Sequence, residues 1–152
     1  MAFRVNTALR NALLGTTGFE TAMLNGVIAI YSGSQPASAD AAETGTLLCL
    51  ISNGSATYTP GSTTAGLQFN TPSGGSITNS SSQVWSGIAA NTGTAGWYRF
   101  YDSTFTTGAS TTTCRLDGLC GTTGSQFVMS STSIVTGTII TVNSATYTLP
   151  TS

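Results

Sequence analysis

Histidine and lysine are both missing from the 152 residues, and the two absences remove much of enzyme chemistry at once. Without His there is no common general base, no imidazole ligand for zinc and no Ser-His-Asp arrangement. Without Lys there is no Schiff base and no P-loop signature. Charge of either sign is scarce: charged residues make up 6% of the chain, against roughly a quarter in ordinary soluble domains. They are Arg4, Arg10, Arg99 and Arg115 against Glu20, Asp40, Glu43, Asp102 and Asp117. Four scattered arginines cannot form the basic stripe that phosphate binding needs, so no nucleic acid is expected as a partner. Long apolar runs are absent too. Val27 to Tyr31 and Leu47 to Ile51 are five residues each, far short of a membrane span. Residues 1 to 25 lack the continuous apolar core of a signal peptide. The three cysteines are odd in number, which implies no closed disulfide framework.

What is present is hydroxyl. Serine and threonine make up about a third of the residues, while apolar residues hold 39%. Thr is β-branched and favours strands, so the composition describes a folded, Thr-rich β protein with hydroxyls on its outer faces. A net charge of −1 gives a free monomer little electrostatic protection against association. Thr-rich strand edges add to that risk. Such a surface is easiest to understand if partners cover much of it, which points to an oligomer or a larger assembly.

The first 25 residues differ from the rest. Asn6 or Thr7 can cap a helix running through Leu14, with Val5, Leu9, Ala12 and Leu13 on one side and Gly15 as its stop. Thr17-Gly18-Phe19-Glu20 fits a capping box for a second short helix to Leu24, stopped by Asn25-Gly26. Each segment is too short to be stable alone, so this N-terminal helical arm (1–25) must dock, either on its own domain or on a neighbour. Phe3, Arg4, Leu9, Arg10 and Leu13 are the interface candidates on it.

Residues 26–152 read as a β domain. Val27 to Tyr31 and Gly45 to Ile51 are strands, and Ser52 to Gly66 is a long loop or a weak edge hairpin. Short strands follow at Leu67 to Phe69 and Ser76 to Thr78. The stretch Ser82 to Asp102 holds both tryptophans and reads as a hairpin: Val84 to Ile88, a break at Asn91-Thr92-Gly93, then Ala95 to Tyr101. In that second strand Ala95, Trp97, Arg99 and Tyr101 share one face, and Gly96, Tyr98, Phe100 and Asp102 the other. Aromatics on both faces predict a central strand covered on both sides. Thr113 to Cys120, Ser125 to Met129 and Thr138 to Leu149 complete the set. The last changes phase near Asn143-Ser144, where a bulge would reconcile its halves. About eight short strands without βαβ alternation predict an all-β fold, an antiparallel β-sandwich or jelly roll with a short helical arm.

Candidates for chemistry are few. Asp40 with Glu43, or Asp102 with Asp117, could formally serve as a glycosidase pair, but acidic residues in such a loop serve more often as turn formers or solvated charges. The carboxylates are too dispersed for a calcium site, and no metal or cofactor is expected. Trp85, Trp97 and Tyr98 could stack on a sugar, although their strand context favours core packing. Arg99 is placed to pair locally with Asp102. Cys49, inside Leu-Leu-Cys-Leu-Ile, reads as a small buried hydrophobe. Cys114 and Cys120 could approach only if Asp117-Gly118 forms a tight turn; along a continuous strand they stay apart as free thiols.

Four stretches carry a resemblance: Thr7 to Leu14 (TALRNALL), Ile28 to Leu48 (IAIYSGSQPASADAAETGTLL), Val84 to Ile88 with Gly93 to Phe100 (VWSGI, GTAGWYRF), and Arg115 to Gly121 followed by a Thr-rich strand ending TYTLP. The chain resembles small virion structural proteins of tailed bacteriophages, in particular capsid decoration (cement) proteins. The resemblance implies a non-enzymatic β-rich protein on the capsid surface of the virion. It would bind the major capsid protein and copies of itself, and stabilise the head by bridging capsomers as an oligomer. A neck, tail or fibre component of the same particle is the neighbouring reading. A surface carbohydrate-binding module is the reading from another class. The three cysteines depart from the ordinary apolar strand residues expected at those positions.

Overall fold

Two strands buried on both faces, β2 (Val27–Ser32) and β6 (Gly93–Tyr101), pair antiparallel at the centre of the protein. The computed structural model describes residues 3–124 and 126–151. Ile28, Ile30, Tyr98 and Phe100 point into the larger of two cores. Val27, Ala29, Tyr31, Trp97 and Tyr101 form the smaller core on the opposite face. The alternation predicted for this strand therefore holds from Trp97 onward. Ala95 is the exception: the register shifts between Tyr31 and Ser32, which turns Ala95 into the larger core.

Around this pair the described residues form β1 (Phe3–Val5), α1 (Thr7–Leu14), α2 (Phe19–Met23), β3 (Leu47–Asn53), β4 (Ser76–Thr78), β5 (Trp85–Ile88), β7 (Arg115–Leu119), β8 (Phe127–Met129), β9 (Ser133–Ile134) and β10 (Ile139–Thr148). The fold is all-β, with mostly antiparallel pairing in the order β1-β7-β6-β2-β3-β5-β10-β4, while β8 pairs with β10 and β9 with β6. The sheet curls until side chains from distant parts of that order meet. Phe3 of β1 lies edge-on to Tyr147 of β10 at 5.4 Å. Tyr98 of β6 stacks on Phe127 of β8 at 4.0 Å and shares a hydrogen bond with the Tyr147 hydroxyl. Each large side chain buried this way contributes about 1.5–3 kcal/mol. Strand β10 keeps its buried face through the expected phase change, because the register shifts between Val142 and Ser144 and returns Ala145 and Tyr147 to the core beside Ile140 and Val142.

The N-terminal segment docks on its own sheet. β1 pairs antiparallel with β7, Phe3 opposite Gly118, and α1 buries Leu9 completely. The Asn6 side chain accepts from the Leu9 N–H, as an N-cap should, and Gly15 closes the helix. The capping box expected at Thr17 does not form. The cap of α2 is Gly18, without a side-chain bond, so the helix begins one residue late for Thr17 to reach it. Asn25 then takes the left-handed conformation that ends the segment.

The predicted hairpin over Ser82 to Asp102 is corrected as well. Both strands exist, but β2 and β3 lie between β5 and β6. Two causes are visible. Both edges of β5 are already taken, by β3 and β10. After Ile88 the chain crosses the end of β3, where the Ala90 and Asn91 N–H groups donate to the Leu48 carbonyl and the Asn91 amide to that of Leu47. Leu67 and Phe69, expected in a strand, make only single bridges to Gly26 and Asn79.

Gly118 has a close-approach role. A Cβ there would come within 2.6 Å of the Tyr98 ring, which covers it from the adjacent strand. Gly118→Val should therefore destabilise the protein by about 1–3 kcal/mol, the usual cost of overpacking a filled core. Urea denaturation measures this, and an unchanged midpoint would contradict the packing described.

Candidate functional site

The polar residues of the outer sheet face form one network. Arg99 lies directly opposite Asp117 on β7 and holds it through two bonds, Nε to Oδ1 at 2.7 Å and Nη2 to Oδ2 at 2.8 Å. Its Nη1 donates to Glu43 at 3.1 Å and to the Ala41 carbonyl at 2.9 Å. Glu43 also accepts from the Tyr101 hydroxyl at 2.6 Å and from the Gly108 N–H at 2.9 Å, and the Tyr101 hydroxyl meets that of Tyr31. Arg115 donates to the carbonyls of Thr106 and Gly108 and stands over the Tyr101 ring. The β2–β3 and β6–β7 connections are thus fastened to the sheet by buried charge.

This arrangement revises two expectations. Arg99 pairs across strands with Asp117 and Glu43, while Asp102 instead accepts from the N–H groups of Thr104 and Cys114. Asp40 and Glu43 are not solvated turn formers: Asp40 accepts from the Thr7 N–H and hydroxyl at the start of α1, and Glu43 belongs to the network. Burial would weaken the Arg99 proton, but Asp117 outweighs it and keeps the guanidinium charged. Burial pushes the Asp117 carboxyl up against the pull of Arg99. Burial also pushes Glu43 up, yet Tyr101, Gly108 and Arg99 together hold it below its ordinary 4.5. The Thr7 N–H is the main cause of the lowered pKa at Asp40.

Trp85, Trp97 and Tyr98 are all buried, so none offers a face to a sugar. Trp97 stacks on Tyr31 at 4.7 Å. Cys49 is buried, Cys114 and Cys120 are half-buried, and all three are free thiols, with β7 running continuously between the latter two. Of the interface candidates, Phe3 and Leu9 are used inside the chain, and Arg4 donates to the Pro36 and Ala37 carbonyls. Arg10 is exposed, donates among the described residues to the Thr7 hydroxyl one turn back and helps lower the pKa of Asp40, and Leu13 is half-buried.

Leu13 does line an apolar groove. This open groove of about 490 Å³ lies between α1, α2 and the curled sheet, walled by Phe3, Val5, Leu13, Phe19, Ile77 and Tyr147. It sits where β1 and β4, the first and last strands of the pairing order, face each other without pairing. Glu20 is the charged residue on its lining. Beside it, Leu14 is 88% exposed. A second apolar spot lies on β5 and β10, where Ile88 (57% exposed) stands opposite Ile139 (64%). Sequence reasoning reached Phe3 and Leu13 but missed Phe19, Glu20, Ile77 and Tyr147, which only the curl of the sheet brings together. The one local signal was a Leu13-Leu14 pair, whose second member cannot share the buried side of the helix. Among the described residues, no cluster of His, Cys, Asp and Glu could hold a metal ion, and no helix is long and apolar enough to cross a membrane.

Two measurements test the electrostatics. Because Glu43 and Asp40 titrate lower when folded, the unfolded chain binds more protons near their ordinary values of 4.5 and 3.8. Their contribution is complete above those values and is lost as pH falls through the folded ones. Asp117, with its raised pKa, acts with the opposite sign. Glu43→Gln should be less stable than the wild type at neutral pH, with the gap closing in acid; a gap that stays constant with pH would refute the role of the charge. Burial pushes the thiol of Cys49 up to about 11 and that of Cys120 to about 12. Disulfide-exchange labelling of the folded protein near neutrality should therefore reach Cys114 first, and rapid labelling of Cys49 would contradict its burial.

Set against family models, curated proteins and solved structures, the chain shows no significant match to any of them.

Proposed function

We propose that this chain is a non-enzymatic virion structural protein, a decoration (cement) protein that stabilises a phage head by bridging capsomers as an oligomer. The major capsid protein would be its partner and the capsid surface its station. The resemblance of the N-terminal segment, the Ile28 to Leu48 stretch and the tryptophan strands motivates the reading. The curled all-β sheet is compatible with the jelly-roll architecture that the resemblance implies.

One observation carries most weight. Charge is not merely rare in this chain; much of it is inside. Arg99, Arg115 and Asp117 have no exposure at all, Glu43 is tied to Arg99, and Asp40 and Asp102 hold backbone donors. What remains outside is a hydroxyl-rich surface with Arg4 and Arg10 exposed on it, carrying Val84, Ile88, Leu119, Val135 and Ile139 as exposed apolar side chains. A surface so poor in charge resists association weakly in a free monomer, but it suits a protein held among many neighbours. There, buried area and repeated contacts, rather than chemistry, supply the stabilisation.

Copy number tests the reading. Quantitative mass spectrometry of purified particles should find this chain in numbers comparable with the capsomers of the shell, and stripping it should lower the temperature at which heads release DNA. The few copies typical of a neck or tail ring would sink the cement role, and absence from particles would sink the virion reading altogether.

A further inference from the structure

We propose that the groove beside α1 receives the exposed end of α1 from a second copy of this chain, in a reciprocal, two-fold contact. The contact deepens the assembly reading given above and rests on it for its biological purpose, although its geometry concerns the free chain alone.

The groove specifies its occupant on two counts. Its walls are apolar, so it needs an apolar side chain to displace water. Its lining carries the Glu20 carboxylate, which has no hydrogen bond or ion pair among the described residues, so the occupant should also bring a cation. The chain has few cations to offer. Arg99 and Arg115 are wholly buried, and Arg4 is committed to the carbonyls of Pro36 and Ala37. Arg10 is left, exposed, donating among the described residues to the Thr7 hydroxyl of its own helix and helping to lower the pKa of Asp40 beside it, with no direct ion pair to that carboxylate. One helical turn further on, at i+4 and hence on the same stripe, stands Leu14, 88% exposed. Arg10 with Leu14 is therefore the apolar-plus-cation pair that the groove asks for.

Position favours reciprocity. Leu13 lines the groove and Leu14 follows it, so knob and hole sit side by side on one surface. A two-fold axis passing between them inserts each Leu14 into the partner copy's groove and brings each Arg10 towards the other copy's Glu20. Where knob and hole lie far apart, the same contact propagates into a filament; adjacency lets it close. With a net charge of −1, general repulsion between copies is slight.

Sedimentation equilibrium of the full chain over a wide concentration range tests this. The wild type should move from monomer to dimer mass. Leu14→Asn should weaken the dimer by about tenfold or more, as loss of a central apolar anchor does. Arg10→Glu and Glu20→Arg should each weaken it, and the double charge swap should recover most of the loss. Near-UV circular dichroism should show every variant folded, since Arg10 and Leu14 are exposed and the half-buried Glu20 opens onto the groove. A chain that stays monomeric overturns the contact while leaving particle binding to be decided by copy number. So does a plateau at any mass other than the dimer's, a Leu14→Asn variant that associates like the wild type, or a double swap no tighter than the single ones. A small apolar molecule retained in the groove through native mass spectrometry would overturn it too.

Discussion

The bidentate pair between Arg99 and Asp117 is the constraint on which the outer half of the structure depends. Both side chains are wholly buried, and a charge left alone there would be far more costly than the pair is beneficial. Removing one partner of such a pair typically costs about 3–5 kcal/mol, whereas replacing both by apolar groups can be neutral. Its role is therefore better described as specification than as stability. It fixes β6 against β7 in one register, because a slip would leave two charges unpaired in the smaller core. Arg99, Glu43 and Arg115 extend the same condition to the middle of two long connections, whose backbone groups find partners in the network rather than in a strand.

Those connections explain how a strand can carry aromatics on both faces without belonging to a layered α/β fold. The larger core is closed by the curl of the sheet, which sets Tyr98 against Phe127 and Tyr147. The smaller core is closed by loops: Tyr58 and Phe105 pack over Tyr101 and Trp97's neighbours, with the Tyr58 hydroxyl donating to the Asn25 carbonyl. Loops can lie on a sheet face only if their polar groups are satisfied, and the charged network does that. The scarcity of charge in the sequence and its concentration inside are thus one design. The buried charges hold the loops down, and the exterior is mostly hydroxyl, with Arg4 and Arg10 exposed on it.

What could be read from the sequence follows from the range of the interactions involved. Helix α1, its Asn6 cap and its Gly15 stop were legible because all the signals lie between Asn6 and Gly15. So were the bulge in β10, which shows as a change of hydrophobic phase, and the two-faced burial of β6. Pairing partners were not legible. Val84 to Tyr101 looks like a hairpin because two strands flank a turn-rich break, yet Asn91 spends its hydrogen bonds on the end of β3, a choice no local pattern encodes. Arg99 was matched to Asp102 by proximity in sequence, while the true partner sits opposite it on another strand. The groove was hidden for the same reason: Leu13 and Phe19 are near each other along the chain, but Ile77 and Tyr147 join them only when the sheet has curled.

The same curl bears on how the chain can associate safely. A hydroxyl-rich β protein with low net charge risks open-ended growth through its strand edges. Here β1 and β4, the two ends of the pairing path, are turned towards one another across the groove and bridged by the short helices. Their edges are thereby partly withdrawn from indiscriminate pairing. Side chains rather than backbone groups are then left to mediate contact, and side-chain contacts can be selective because knob, hole and charge must all agree. The N-terminal segment has two jobs in this scheme: its inward side, through buried Phe3 and Leu9 and half-buried Leu13, covers the seam of the sheet, and its outer stripe, through Arg10 and Leu14, faces whatever comes next. An amphipathic helix of eight residues is too short to hold itself in water, so the first job must be done before the second is possible. Association through α1 is consequently a property of the folded sheet and not of the segment alone.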